Sequence, residues 1–477
     1  MSISSKYSVT AALGLTLVSG CTVGPNYHGA PPVAADSVQA GSFVRAPQNA
    51  VRNGPTASAW WQGLNDAELT ALIETALTHS PDLRAAQARL RQSRAGLSQA
   101  HSNTLPSGSA SAAYAHADLP LGVGTFEIYN VGFDATWEAD LFGGKRRAVQ
   151  NASAKAEAAT ASLADAQVQL SAEVAQTYID LRDQQQRIAL VRKSAELEQQ
   201  VLELTQQRRE RGVASDLDVE RVRTQLETTR ESLIPLDSQI TESLDQLAVL
   251  TGKAPGALDT ELQQPAPLPV LPETVSIGDP ASLIRQRPDI RAAEWQLVAA
   301  NAQIGQRIAD FFPKLTLIGD LGLNSEKPGD LFNGSSFMWL GAPLLQWNLL
   351  DFGRNKAKVE EARGDYDEAE AKYEGAVLNA LRDANVALSR YGHQRDNVVS
   401  LRKVETSATH AADLTQQRYR AGTTSALDWL DAERTRFSAE QSRISGDAQL
   451  LKDYIALHKS LGLGWQTPPL APVTAAR

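Results

Sequence analysis

The chain has 477 residues, room for two to four ordinary domains, and is 42% hydrophobic, 21% charged and only 6% aromatic. A net charge of −9, without any Lys/Arg block, argues against nucleic-acid binding, and a single cysteine excludes an internal disulfide framework, a Cys-rich zinc site and a CxxC redox pair. Beyond the N-terminus no run approaches the roughly 18 apolar residues of a spanning helix, but a membrane β-barrel, whose strands alternate, stays open.

The first 20 residues read as a secretory signal: Lys6 gives a weakly basic start and Val9–Val18 an apolar core too short to span. Val18-Ser19-Gly20-Cys21 follows, and small residues before a cysteine at this place resemble the bacterial lipoprotein processing box. In that reading Cys21 is acylated and becomes the mature N-terminus. Residue 22 is Thr, not the Asp that favours inner-membrane retention, which points to the outer membrane. From Tyr27 to Pro55 the Pro, Gly, Ala and Ser content predicts an extended tether.

The chain then repeats itself. Thr205-Gln206-Gln207-Arg208 with Gly212, Ser215, Leu217 and Asp218 returns 210 residues later as Thr415-Gln416-Gln417-Arg418 with Gly422, Ser425, Leu427 and Asp428. Trp137, Phe142 and Gly143 return at the same offset as Trp347, Phe352 and Gly353. Pro81-Asp82 and Pro106 are echoed by Pro288-Asp289 and Pro313 at an offset of 207. The chain is a tandem duplication. It divides into a signal peptide (1–20), a lipid-anchored segment (21–65), a first repeat (66–252), a Pro-rich linker (253–279), a second repeat (280–462) and a tail (463–477).

Each repeat has one plan. In the first, residues 66–103 have apolar positions every three or four and predict a helix ended by Pro106. Strands follow over 109–117 and 128–137; in the second, Tyr129, Val131, Phe133, Ala135 and Trp137 share one face. Residues 145–211 contain no Pro or Gly and predict a helix of about 100 Å at 1.5 Å per residue. Gly212 breaks it, and 216–250 is a shorter helix kinked at Pro235. The second repeat predicts a helix over 280–312, strands over 315–323 and 336–347, a long helix over 355–420, a break at Gly422 and a closing helix over 425–460.

Such helices need a coiled-coil or tubular partner. Strands of nine to twelve residues are long enough to cross a bilayer when tilted, yet four cannot close a barrel and lipid does not tolerate an open edge. Closure needs several chains, and three give about twelve strands. The other reading is a pair of soluble hairpins capping a coiled coil.

At this point the residues resemble the TolC family of outer-membrane efflux channels, in its NodT/OprM-like lipoprotein branch. The resemblance spans the mature chain and rests on Cys21 to Tyr27, Arg287-Pro288-Asp289, Trp137 to Gly143 and the turns at Gly212 and Gly422. It implies a mixed α and membrane-β fold. Tandem-duplicated long-helix hairpins form a trimeric α-helical tunnel, and four strands per chain complete a 12-stranded barrel. It also implies a homotrimer anchored in the bacterial outer membrane, reaching into the periplasm and contacting a periplasmic adaptor (membrane fusion protein) and an inner-membrane transporter of the resistance–nodulation–division type. The function implied is passive exit of small toxic compounds.

The family's acidic constriction falls on Asp428 and Asp431. Their i, i+3 spacing shares a helix face, so in a trimer their repulsion should raise some pKa values and draw in cations. Tyr419 and Asp218 match two groups of the polar latch, while a basic latch position is Thr424 here. Adaptor docking falls on Gly212-Val213-Ala214-Ser215 and Gly422-Thr423-Thr424-Ser425. The residues alone equally allow Asp428 to be a helix cap and the glycines simply to turn the chain.

No GxxxxGK[ST], HExxH or GxSxG motif appears and the seven histidines form no i, i+4 pair, so neither catalysis nor a bound metal or cofactor is expected. The alternatives are a non-conducting structural coiled-coil envelope lipoprotein, or a protein-secretion or metal-efflux duct of the same family.

Overall fold

The computed structural model describes residues 22–47, 51–54, 56–119 and 124–465. Its elements are α1 (Ala35–Gln39), β1 (Val51–Asn53), a 3-10 turn (Trp60–Leu64), α2 (Ala67–His79), α3 (Pro81–Ser102), β2 (Ser107–Leu119), β3 (Gly124–Ala139), α4 (Gly144–Glu210), α5 (Asp216–Glu231), α6 (Leu233–Leu250) and α7 (Asp259–Leu262). Then come β4 (Val275–Ile277), α8 (Pro280–Gln286), α9 (Pro288–Ala309), β5 (Lys314–Ser325), β6 (Phe337–Gln346), α10 (Arg354–Arg420) and α11 (Ala426–Ser460). Contacts divide the chain into two compact units, one of residues 1–32, 88–160 and 291–375 and one of residues 33–87, 161–290 and 376–477.

The first unit holds a four-stranded antiparallel sheet in the order β2-β3-β5-β6. The central pairing joins the two repeats, with Gly132 opposite Gly322 and Phe133 opposite Leu321. Strands β2 and β6 are its edges. The residues that follow Cys21 do not hang free: Val23 N–H donates to the Phe142 carbonyl at 3.1 Å. The Arg147 guanidinium donates to the carbonyls of Val23 and Gly24, both at 3.1 Å, and to Asn26 Oδ1 at 2.8 Å. Gly24, at φ +87°, lies so close to Gly305 that a Cβ there would sit 2.4 Å from the Gly305 Cα. Asn301 Nδ2 donates to the Pro25 carbonyl at 3.2 Å.

In the second unit the expected tether is likewise built in. Val51–Asn53 pairs in parallel with Val275–Ile277, so two short segments, each an implausible strand by itself, satisfy each other's backbone. The Pro-rich linker is pinned to α4 as well: Gln185 Nε2 donates to the Leu262 carbonyl at 2.7 Å and buried Arg182 to the Gln264 carbonyl at 2.9 Å. Trp60 and Trp61 are buried. The Trp60 ring lies 5.5 Å from that of His458, whose other neighbour is Tyr454 at 4.2 Å. Burial lowers the His458 pKa to about 4.

The helices expected over 66–103 and 280–312 are each interrupted once, at Ser80 and at Arg287. The residue after each is proline, which has no N–H to donate and forces its predecessor into extended backbone; Ser80 has ψ 131° and Arg287 ψ 122°. The shorter helix of the first repeat breaks at Ser232, three residues before Pro235, into α5 and α6. Its counterpart α11 contains no proline and runs unbroken for 35 residues. Among the described residues no helix is long and apolar enough to cross a membrane.

Candidate functional site

Helix α4 ends on Arg208-Arg209-Glu210-Arg211, and Gly212 takes φ +74°. Gly212 N–H then bonds the Arg209 carbonyl and Val213 N–H the Arg208 carbonyl, both at 2.8 Å. This pair of bonds closes a helix through a left-handed residue, a role that glycine fills without a Cβ penalty. Gly422 repeats it at φ +75°, with Gly422 N–H to the Tyr419 carbonyl and Thr423 N–H to the Arg418 carbonyl, both at 2.9 Å.

The next helices begin alike. Ser215 Oγ accepts from Asp218 N–H at 3.2 Å, and the Asp218 carboxylate accepts from Ser215 N–H at 3.0 Å. Ser425 and Asp428 form the same reciprocal cap, both bonds at 3.1 Å, and Thr424 Oγ1 adds a bond to Asp428 at 2.9 Å. Such a cap satisfies donors that the first helical turn leaves orphaned. Asp428 is exposed and Asp218 half-buried. The Ser215 backbone and side-chain bonds hold Asp218 below the ordinary carboxylate range. For Asp428 the Ser425 hydroxyl, then the Thr424 hydroxyl, then the Ser425 N–H do the same.

Of the two carboxylates that share a face, the cap therefore engages Asp428, while Asp431, one turn further in, stays exposed and its carboxylate accepts from Arg434 at 2.7 Å. Tyr419 and Asp218 are not brought to each other as bonded partners. The Tyr419 ring stacks on Trp429 at 5.1 Å, and its hydroxyl accepts from Arg208 at 3.4 Å, with that guanidinium also 5.6 Å from the ring centre. Val201, Leu202, Val219, Val222, Leu226, Trp429 and Leu430 pack beneath them as one buried cluster. Trp429 Nε1 donates to Glu433, itself paired with Arg436 at 2.7 Å.

Arg208 and Glu433 were not anticipated as site residues. Arg208 closes the repeated Thr-Gln-Gln-Arg motif, which marked the repeat but gave no partner; Glu433 looked like one more solvated carboxylate on a helix. The basic group beside Tyr419 thus comes from α4, whereas Thr424, at the expected latch position, serves the cap.

The sheet has an unusual exterior. Directly opposed residues share a face, so Tyr114, Val131, Phe133, Trp137, Leu317, Leu321, Phe337, Trp339 and Leu345 lie on one side. All are exposed, Trp339 to 73%. Asn130, Asp134, Thr136, Asp320 and Asn324 face the other way. A soluble hairpin hides its apolar face; this one displays it, and an exposed apolar patch marks a surface for contact with a membrane or another protein. Cys21 lies outside the described residues; its neighbour Thr22 packs where a Cβ on Gly143 would be, 2.9 Å from the Thr22 Cα.

The sequence matches the outer membrane efflux protein family over residues 72–253 and 280–463. The chain belongs to that family. It is 31% identical to the outer membrane protein OprJ of Pseudomonas aeruginosa, over 96% of each chain. To the toluene efflux pump outer membrane protein TtgF of Pseudomonas putida it is 30% identical, over 98% of each. Among solved structures, the outer-membrane channel OprN superposes with a TM-score of 0.86 at 35% identity, covering 93% of this chain and all of that one. The TolC-family resemblance read from the sequence is thus borne out. The chain is an outer-membrane efflux component, mostly helical with a small strand portion.

Proposed function

We propose that three copies of this chain close a twelve-stranded barrel in the outer membrane and form one passive exit duct. A periplasmic adaptor and an inner-membrane transporter of the resistance–nodulation–division type would deliver small toxic compounds to it. The observation that carries this reading is the four-stranded sheet with an apolar exterior and two open edges: lipid leaves no water to satisfy an edge strand, so the edges must meet those of other chains. The efflux-pump name of TtgF supports the substrate class. Acylation of Cys21 would add an anchor.

The two turns, at residues 212–215 and 422–425, are the surfaces offered to the adaptor. Asp431, free of the cap, is the main carboxylate of the constriction, with Asp428 behind it. Arg208, Tyr419 and Asp218 hold the neighbouring helix ends. Three chains bring three Asp431 side chains together, which attracts cations and resists anions.

Planar-bilayer conductance of the detergent-extracted oligomer tests this. Small, cation-preferring openings that lose selectivity in Asp431→Asn are expected. A trimer that never conducts, even with the helix ends loosened by Tyr419→Ala, would instead make the chain a structural envelope lipoprotein.

A further inference from the structure

The two repeats superpose down to single hydrogen bonds where each sheet strand passes into its long helix. Trp137 Nε1 donates to the Thr104 carbonyl and Trp347 Nε1 to the Phe311 carbonyl, each at 2.9 Å. Lys145 Nζ donates to the Asn103 carbonyl at 2.7 Å, and Asn355 Nδ2 to the Asp310 carbonyl at 3.1 Å. Acceptors are 207 residues apart and donors 210, the two offsets of the duplication. One contact breaks the rule. Phe142 of the first repeat stacks on Phe312 of the second, centres 4.5 Å apart and planes within 19°. The equivalents of these residues are Phe352 and Leu105. Both lie bare: Phe352 is 91% exposed and Leu105 64%. Phe352 also has φ +53°, a backbone region that bulky side chains rarely adopt without a compensating contact.

The Phe142–Phe312 contact joins the end of the first repeat to the start of the second. Its missing twin would join the end of the second repeat to the start of a first, and within one chain no other first repeat exists. The β3–β5 pairing has the same property, since β2 and β6 are the unpaired edges. We propose that Phe352 is the knob by which one chain seats on the next, its ring against Leu105 of the neighbouring chain. Strand β6 then pairs with the neighbour's β2 in the register that the internal repeat dictates. Moving Gly132 forward by 210 and Gly322 back by 207 turns their pairing into Ala342 opposite Ala115. Leu345 falls opposite Ala112 by the same shift of the Ala135–Gly319 pair. The small Ala342–Ala115 pair thus takes the place that Gly132–Gly322 holds within the chain. The contact is head-to-tail, the type that closes a ring. The inference rests on the trimer proposed above and deepens it by assigning the residues and the register.

Crosslinking of the full chain in outer-membrane extracts with a short bis-maleimide tests it. Phe142→Cys with Phe312→Cys is the calibrating pair and should link within a chain, leaving the gel mobility of a monomer. Leu105→Cys with Phe352→Cys in one chain should give covalent dimers and trimers. Co-expressed chains carrying either single change should give dimers only, and either single variant alone should show no link, because acylation leaves Cys21 without a free thiol. A second reading is the temperature at which the trimer dissociates in detergent, expected to fall in Phe352→Ala and to recover in Phe352→Leu. If trimers assemble and the calibrating pair reacts but Leu105/Phe352 does not, the seating contact is wrong. If Phe352→Cys links to itself, the interface is two-fold and the ring is wrong. If the wild-type chain is monomeric in native membranes, the trimer itself fails, which is a separate result.

Discussion

The turns at Gly212 and Gly422 have the same backbone and different bodies. Both close a helix through a left-handed glycine and open the next with a Ser/Asp reciprocal cap, at an offset of 210 residues. Beyond the cap they diverge. The first continues into Val219, Val222 and Leu226, aliphatic and plain; the second into Trp429, Glu433 and Arg436, an aromatic and charged chain that reaches Arg208 through Tyr419. The first helix then breaks at Ser232, and the second runs on. Duplication has kept what bends the chain, and sequence change has accumulated on the faces that decide how each turn is braced. One turn is held by aliphatic packing, the other by packing plus a polar chain.

The strongest test of that asymmetry is to cut both bodies at equivalent positions. Trp429→Ala should cost about 3–5 kcal/mol, and Val219→Ala roughly 2 kcal/mol for its two methyl groups, read as thermal unfolding of the extracted protein. Equal losses would mean that the two turns are braced alike. The backbone should show no asymmetry: Gly212→Ala and Gly422→Ala each place a Cβ at positive φ in open space, so each should lose about 1–2 kcal/mol. A large difference would show that one glycine also serves a contact. Smaller still, Ser215→Ala and Ser425→Ala should each lose about 1 kcal/mol.

The finest comparison is in acid. Asp218 and Asp428 are both held below the ordinary carboxylate pKa of about 4. A carboxylate with a depressed folded pKa adds stability above its unfolded pKa, and that addition is lost as pH falls through the folded value. Asp428 has one more hydroxyl, from Thr424, where the first turn has Ala214. Its acid loss should therefore extend to lower pH, and Thr424→Ala should bring the two together. Carboxyl chemical shifts followed between pH 5 and pH 2 give the order; an Asp218 that titrates below Asp428 would contradict it.

Much of this was legible from local pattern. The long helices were expected over 145–211 and 355–420 and are Gly144–Glu210 and Arg354–Arg420, because neither stretch contains a proline and a left-handed glycine ends each, while Gly364, Gly375 and Gly392 are carried inside the second without a break. Strands β2, β3 and β5 run one to four residues beyond their expected ends, where pairing carries the backbone past the alternating stretch, while β6 stops one residue short of 336–347 at each end. Long-range satisfaction was illegible. Nothing in Val51–Asn53 announces a strand whose partner lies 224 residues away, and the Pro-rich composition around it suggested a tether instead. At the turns the sequence singled out Asp218, Tyr419 and Asp428 and allowed Asp428 to be a cap, but not that Asp218 would be one as well, nor that Arg208 would stand beside Tyr419. Those outcomes depend on which side chains two hairpins bring together, a matter of packing rather than of spacing.

The clamp on residues 22–26 also sets an order of events. Its wall includes Asn301 and Gly305, so Gly24 and Pro25 meet residues that leave the ribosome about 280 positions later. A contact so distant in sequence forms late, after local helices and hairpins have closed shorter loops. The docking of residues 22–26 is therefore completed late, and a chain truncated before the second repeat would keep only the side of the clamp that Phe142, Gly143 and Arg147 supply.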